Sequence, residues 1–349
     1  GIQSHALDHG SPLLHALTLA CPGAGSQRSL PCIIEYLGGQ SSLLWGIGLD
    51  WIPLLIAVVH SQRSGGMSSP AIQWYPGHIA KAIGQLREQL QRVDVAIEVV
   101  DARIPLASRH PDLGQWLGEK PRLLALNRVD CIEARDLKAW QEYFSRQGIP
   151  VYPTNGQSGE GVNRLKQAIL QLGQAVNRRR QQRGMRPRAV RAVVVGFPNV
   201  GKSALLNRLL GRRAVESAAR PGVTRQLRWV RLGGELDLLD SPGIIPPSLP
   251  DQQAASLLAI CDDIGAAAYD PERVAAHFLD QVLKVQPQAQ ALLQKRYGWT
   301  DAIPLGNVAV QELAERRYQG DPERAARQIL NDYRKGLLGP LVLELPPDT

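Results

Sequence analysis

The apolar positions of this chain change their period along its length. From Gly77 to Arg92 they recur at Ile79, Ile83, Leu86 and Leu90, the spacing of a helix with one buried face. Val93 to Val100 is an apolar run that predicts a buried strand, ending at Asp101 in the segment Asp101-Ala102-Arg103-Ile104-Pro105. A short helix is expected next, then a second strand, Arg122 to Leu126, closed by Asn127-Arg128-Val129-Asp130. Glu133 to Gln147 reads as a helix and Val151-Tyr152-Pro153-Thr154 as a third strand. Ala192 to Val195 is a further strand, followed by a helix over Ala204 to Leu210. The runs Leu227 to Leu232 and Leu236 to Leu239, joined by Gly233-Gly234, predict a hairpin. Past Pro250, helical stretches poor in Gly and Pro reach to about Gly336, with Pro271 and Pro322 placed as helix starters.

Strands that alternate with helices imply an α/β fold, a mostly parallel sheet with helices on both faces, here followed by an all-α C-terminal domain. Ligands of such sheets bind at the carboxyl ends of the strands, where the polar tails of these runs collect. The expected boundaries are an N-terminal extension over residues 1–66, a sheet domain over 67–250 and a helical domain over 251–349.

Composition changes this picture little. Of 349 residues 44% are hydrophobic and 21% charged, ordinary for a soluble globular protein. The net charge of +8 suggests a polyanionic partner. Cys21, Cys32, Cys131 and Cys261 lack metal-ligand spacing and read as free thiols of a reducing compartment. Between Gly161 and Val215 there is no acidic residue, and Arg178, Arg179, Arg180, Arg183, Arg186 and Arg188 read as a basic linker. That linker is either solvated or a contact for RNA. The first 66 residues are rich in Gly, Ser, Leu and His. Their run Leu43 to Val59, apolar apart from Asp50, is borderline in length for a membrane span, and it lies too deep in the chain for a secretory signal. Translation is expected to start at Met67, which leaves residues 1–66 a disordered or non-native extension.

The candidate chemistry begins with Gly196-Phe197-Pro198-Asn199-Val200-Gly201-Lys202-Ser203, a complete G-x-x-x-x-G-K-S phosphate loop between a strand and a helix. Asn199, Val200, Gly201, Lys202, Ser203 and Ala204 are the candidate phosphate-binding residues, their N–H groups and the helix dipole facing the anion. Lys202 is expected on the β- and γ-phosphates and Ser203 on Mg²⁺. Pro221-Gly222-Val223-Thr224 offers a loop whose Thr224 completes the magnesium shell. Asp240-Ser241-Pro242-Gly243 places a carboxylate to hold Mg²⁺ through water and the Gly243 N–H to bond the γ-phosphate.

Choice of base needs a different group. Guanine presents two donors, N1–H and the N2 amine, which a single carboxylate such as Asp130 accepts together. Asn127 is placed to brace the loop and Arg128 to pack its stem over the purine. The later loop Thr154-Asn155-Gly156 offers a backbone N–H for guanine O6. Asn-x-x-Asp alone suits a helix cap equally well; its place at the end of a buried strand favours a nucleotide. The base-reading loops precede the phosphate loop, the reverse of the Ras-like order, which the physics of a shared site permits.

With these motifs in this order, the chain resembles the YlqF/RbgA family of circularly permuted ribosome-assembly GTPases. The resemblance runs from Ile72-Gln73-Trp74-Tyr75-Pro76-Gly77-His78 to the end, including Glu323-Arg324-Ala325-Ala326-Arg327 and Asp332-Tyr333-Arg334. It implies a GTPase that drives late assembly of the large (50S) ribosomal subunit, with GTP as substrate, Mg²⁺ and K⁺ as cofactors, and ribosomal RNA touched by the C-terminal helices. It implies that His78 positions the attacking water in place of a glutamine, and that Asn199 ligates K⁺. On the residues alone, His78 suits an exposed first turn of a helix, and Asn199 the shaping of its loop. The expected protein is cytoplasmic and monomeric, with no stable membrane partner. Two other readings stay open: a membrane-associated signalling or transport GTPase, and a non-hydrolysing RNA-binding scaffold stabilised by GTP.

Overall fold

The computed structural model describes residues 77–211, 227–243, 246 and 251–347, with side chains from Gly84 onward. The expectations for residues 1–66, including the Leu43 to Val59 run, and for Thr224 lie outside the described residues.

Among the described residues six strands form one sheet: β1 (Val95–Asp101), β2 (Arg122–Asn127), β3 (Val151–Thr154), β4 (Val190–Val195), β5 (Arg228–Leu232) and β6 (Leu236–Asp240). Their order is β3-β2-β1-β4-β6-β5, parallel throughout except for the β5–β6 hairpin. All seven residues of β1 are buried, as expected where helices cover both faces and alternation is not needed. On one face Ala96, Val193, Val195 and Leu239 meet Leu86 and Leu90 of α1 (Gly77–Leu90) and Leu113 and Leu117 of α2 (Leu113–Leu117). Val100, Leu124 and Leu126 meet Trp140 and Phe144 of α3 (Ala134–Arg146). The opposite pleat, with Val95, Ile97, Val99, Ala192 and Val194, packs on α4 (Val162–Gln182) and α5 (Lys202–Leu210).

The basic stretch departs from expectation. Arg178, Arg179 and Arg180 lie on the last turns of α4, so the linker proper is only Arg183 to Ala189. The helix forms because Val162, Leu165, Ala168 and Ile169 make an apolar stripe at helical spacing. Burying each of its large aliphatics contributes about 1.5–3 kcal/mol. Cations at the C-terminal end of a helix also offset its dipole.

Among the described residues five further α-helices follow: α6 (Gln252–Ile260), α7 (Pro271–Val285), α8 (Ala289–Tyr297), α9 (Gly306–Arg317) and α10 (Pro322–Arg334). Pro271 and Pro322 each open a helix behind an aspartate cap, Asp270 accepting from the Glu272 N–H and Asp321 from the Arg324 N–H. The helical region and the sheet belong to one compact unit, Ser68–Thr349. One hydrophobic cluster runs from Ile97 and Val194 through Leu258 and Phe278 to Leu313 and Ile329. The chain end returns to the sheet: the Leu343 N–H donates to the Arg103 carbonyl at 3.0 Å, and Glu344 accepts from the Leu106 and Ala107 N–H groups. Burial pushes the Glu344 carboxyl up to about 7, against those two bonds. Among the described residues no helix is long and apolar enough to cross a membrane.

Candidate nucleotide site

Parallel pairing carries the motif residues to one edge of the sheet. Asp101 is in register with Asn127, Asn127 with Thr154, and Val194 with Asp240, while the phosphate loop leaves β4 between them. The permuted order therefore costs nothing in space, because adjacency in the sheet replaces adjacency in the chain.

Asn127 joins the pieces. Its Nδ2 donates to the Val200 carbonyl at 2.8 Å, and its Oδ1 accepts the Gly156 N–H at 2.9 Å and the Thr154 hydroxyl at 3.3 Å. One buried amide thus ties the end of β2, the 196–203 loop and the 154–156 loop together. Gly156 also lies against the first turn of α5, where a Cβ would come 3.0 Å from the Leu205 nitrogen. These contacts redirect part of the sequence reading. The Gly156 N–H is committed to Asn127, and Asn155 uses its Oδ1 to accept from the Gln157 and Ser158 N–H groups. Thr154 is fully buried, so its hydroxyl braces the loop from within.

Arg128 also differs from expectation. Its backbone is left-handed, and its guanidinium turns toward the phosphate loop, donating to the Asn199 carbonyl and lying 3.6 Å from Asp101. Its charge spans the two loops. Asp130 stands exposed on the 3₁₀ turn Val129–Cys131, its Oδ2 accepting from the Cys131 thiol at 3.9 Å.

In the phosphate loop, Phe197 and Val200 are buried anchors in the core. Lys202 is buried and donates to the Phe197 carbonyl at 2.6 Å, and Ser203 and Ala204 are half-buried beside it on the first turn of α5. Desolvation lowers the Lys202 ammonium to about 8, although Asp240 and Asp263 oppose it. Burial likewise pushes Asp240 up to about 6, against the pull of Lys202 and Arg228. Asp240 Oδ1 is buried without a hydrogen-bond partner among the described residues. A buried, unsatisfied carboxylate oxygen beside a phosphate loop fits a hard cation held through water. Ser241 closes this corner by donating to the Val194 carbonyl at 2.6 Å. Gly243 reaches the loop itself, since a Cβ there would fall 2.6 Å from Pro198 Cα. The structure thus brings Asn127, Arg128, Thr154, Gly156, Asn199, Lys202, Asp240 and Gly243 around one edge. Of His78 only its place in the first turn of α1 is described.

The sequence marks the Asp101-Ala102-Arg103-Ile104-Pro105 segment behind this edge, but neither the pairing within it nor Asp263. Asp101 takes Arg103 in a two-pronged pair at 2.9 and 2.7 Å, both fully buried. Burial alone would raise the Asp101 carboxyl, yet Arg103 and Arg128 hold it below the usual range. Asp263, from the turn after α6, is fully buried beside them. Nothing in its local sequence marks it, because its neighbours are supplied by other elements.

The match to known proteins follows the same outline. A family model described as 50S ribosome-binding GTPase matches residues 191–300. The chain is 36% identical over 284 residues to Ribosome biogenesis GTPase A of Bacillus licheniformis, covering 79% of this chain and 99% of that protein. It is 36% identical over 285 residues to the protein of the same name from Bacillus cereus, covering 79% and 95%. The crystal structure of GNP-bound YlqF from T. maritima superposes with a TM-score of 0.54 at 23% identity, covering 77% of this chain and 100% of that one, which shows a common fold.

Proposed function

The chain belongs to the ribosome biogenesis GTPase A (YlqF) family, and on that premise we propose that it binds and hydrolyses GTP to drive late assembly of the large ribosomal subunit. The observation that carries this reading is Asn127, whose one amide holds the Val200 and Gly156 ends of the site at 2.8 and 2.9 Å. A purine reader and a triphosphate cradle so joined form one nucleotide site.

In this reading the α5 N-terminus and Lys202 receive the β- and γ-phosphates, and the Gly243 N–H bonds the γ-phosphate. Ser203, Thr224 and Asp240 hold Mg²⁺, Asp240 through water, and the metal neutralises charge on the phosphates. Asp130 accepts the two guanine donors. His78 orients the water, and Asn199 offers an amide oxygen to K⁺. Residues 67–250 act as the GTP-binding region and 251–349 as the helical region that touches ribosomal RNA. The surface cations Arg324, Arg327 and Lys335, with the arginines ending α4, supply the RNA-facing charge. The protein works as a cytoplasmic monomer.

The test is GTP turnover by the purified protein, with and without large subunits, in K⁺ and in Na⁺ buffers. Stimulation by subunits in K⁺ is expected. Turnover that subunits leave unchanged would replace this reading with a GTP-stabilised RNA-binding scaffold.

A further inference from the structure

Among the described residues four non-glycine residues have positive φ: Arg128 (64°), Asn199 (55°), Asp262 (66°) and Gln319 (56°). The first three are successive links in one line of contacts. Arg128 Nη2 donates to the Asn199 carbonyl, and Asn199 Nδ2 donates to the Asp262 carbonyl at 2.7 Å. Left-handed backbone in side-chain-bearing residues is unfavourable and persists where surrounding contacts hold it.

Asp262 occupies the place where a helix ordinarily ends in glycine. Helix α6 closes with the Asp263 N–H on the Leu258 carbonyl at 2.8 Å and the Asp262 N–H on the Ala259 carbonyl at 3.1 Å. This is the paired bonding of a Schellman ending, which favours glycine at the left-handed position. Here that position carries aspartate, and its carbonyl is turned to the phosphate loop. A carbonyl can only accept, so the Asn199 side chain must present its NH₂ end there. Its Oδ1 is thereby set on the other side of the amide.

The turn is in turn held from two sides. Arg334, on α10, donates to the Ile260 carbonyl at 2.9 Å and to the Ala259 carbonyl and the Tyr269 hydroxyl at 2.7 Å, capping the buried end of α6. It also lies 3.7 Å from the Asp262 carboxylate. Arg103 donates to the Cys261 carbonyl at 3.2 Å while paired with Asp101. Arg334 is thus engaged within the fold and is not counted among the surface cations.

We propose that the Cys261–Asp263 turn of the helical region is a support of the phosphate loop: the Asp262 carbonyl positions the Asn199 amide, and Arg334 positions Asp262. The last helix therefore acts on the nucleotide site through two hydrogen-bonded steps. A partner that shifts α10 changes the loop, and a nucleotide that reshapes the loop changes α10, because such coupling is reciprocal. The consequence for nucleotide rests on the proposed function; the mechanical link does not.

Two measurements separate these layers. In nucleotide-free protein, Arg334→Ala is expected to speed hydrogen exchange of the amides from Asn199 to Ala204 several-fold. Arg334→Lys, which keeps charge but loses the planar fork, is expected to give a smaller increase. Val310→Ala, a core truncation in α9 that removes none of these hydrogen bonds, should lower the melting temperature and leave those amides unchanged. With fluorescent GDP, Arg334→Ala should weaken binding about fivefold or more. Loop exchange equal to wild type in Arg334→Ala, or in Arg334→Lys should the alanine variant not fold, would overturn the proposal. So would unchanged GDP affinity alongside faster exchange. Wild-type protein that binds no GDP would end the GTPase reading, and the exchange data would still decide the link.

Discussion

The Nδ2 atom of Asn127 lies 2.2 Å from where a Cβ on Gly201 would stand. The end of β2 therefore occupies the space that a side chain at Gly201 would claim. Gly201 is also left-handed at φ 96°, so an alanine there meets both strain and a clash with a hydrogen-bonded amide. Gly201→Ala is expected to abolish GTP binding and lower stability by at least ~1–3 kcal/mol. Gly233→Ala, left-handed at φ 55° but with nothing within 4 Å of a Cβ, should cost only about 1 kcal/mol and leave binding intact. Thermal melts and nucleotide titrations of the two variants make the comparison.

Asp130 stands exposed after β2. Asp130→Asn replaces one acceptor oxygen with a donor, which no longer matches guanine N1–H and N2. Preference should move from GTP toward xanthosine triphosphate by at least tenfold (about 1.4 kcal/mol). Competition between the two nucleotides for the variant reads this directly, and unchanged preference would remove Asp130 from base recognition.

For His78 the expected signature is kinetic. His78→Ala should keep GTP affinity within about twofold while slowing single-turnover hydrolysis by about 10²-fold or more, as befits a group that acts only on the attacking water. Equal hydrolysis rates would reduce His78 to a polar residue in the first turn of α1.

Asp240 predicts two pH effects of opposite sign. Its folded pKa of about 6 lies above the ordinary 3.8. The protonated form is thus favoured by folding, a contribution present below about pH 4 and lost as pH rises through about 6. Melting temperatures of nucleotide-free protein should carry this falling component between pH 4 and 6, and Asp240→Asn should lack it. Magnesium needs the ionised carboxylate. The Mg²⁺-dependent part of GTP affinity should therefore rise between pH 5 and 7 in wild type and stay flat in the variant.

Much of this fold was legible because the signals were local. The buried runs at Val95–Asp101 and Arg122–Asn127, the aspartate and proline at the starts of α7 and α10, and the glycine pair between β5 and β6 each act within a few residues. Helix α4 escaped notice although its stripe Val162, Leu165, Ala168 and Ile169 is regular, because its arginine-rich end reads as solvated chain. In the site, the glycine–lysine–serine pattern marked the phosphate loop for the same local reason.

By itself, then, the amino-acid order determined which segments become strands, where each ends, and which polar groups stand at those ends, since backbone preference and apolar period are properties of neighbours. Only tertiary structure decided what those groups touch. Arg128 faces the Asn199 carbonyl, the Gly156 N–H faces Asn127, and Asp262 turns its carbonyl onto the phosphate loop. Each pairing joins residues from different elements, and its geometry comes from how the sheet and helices pack.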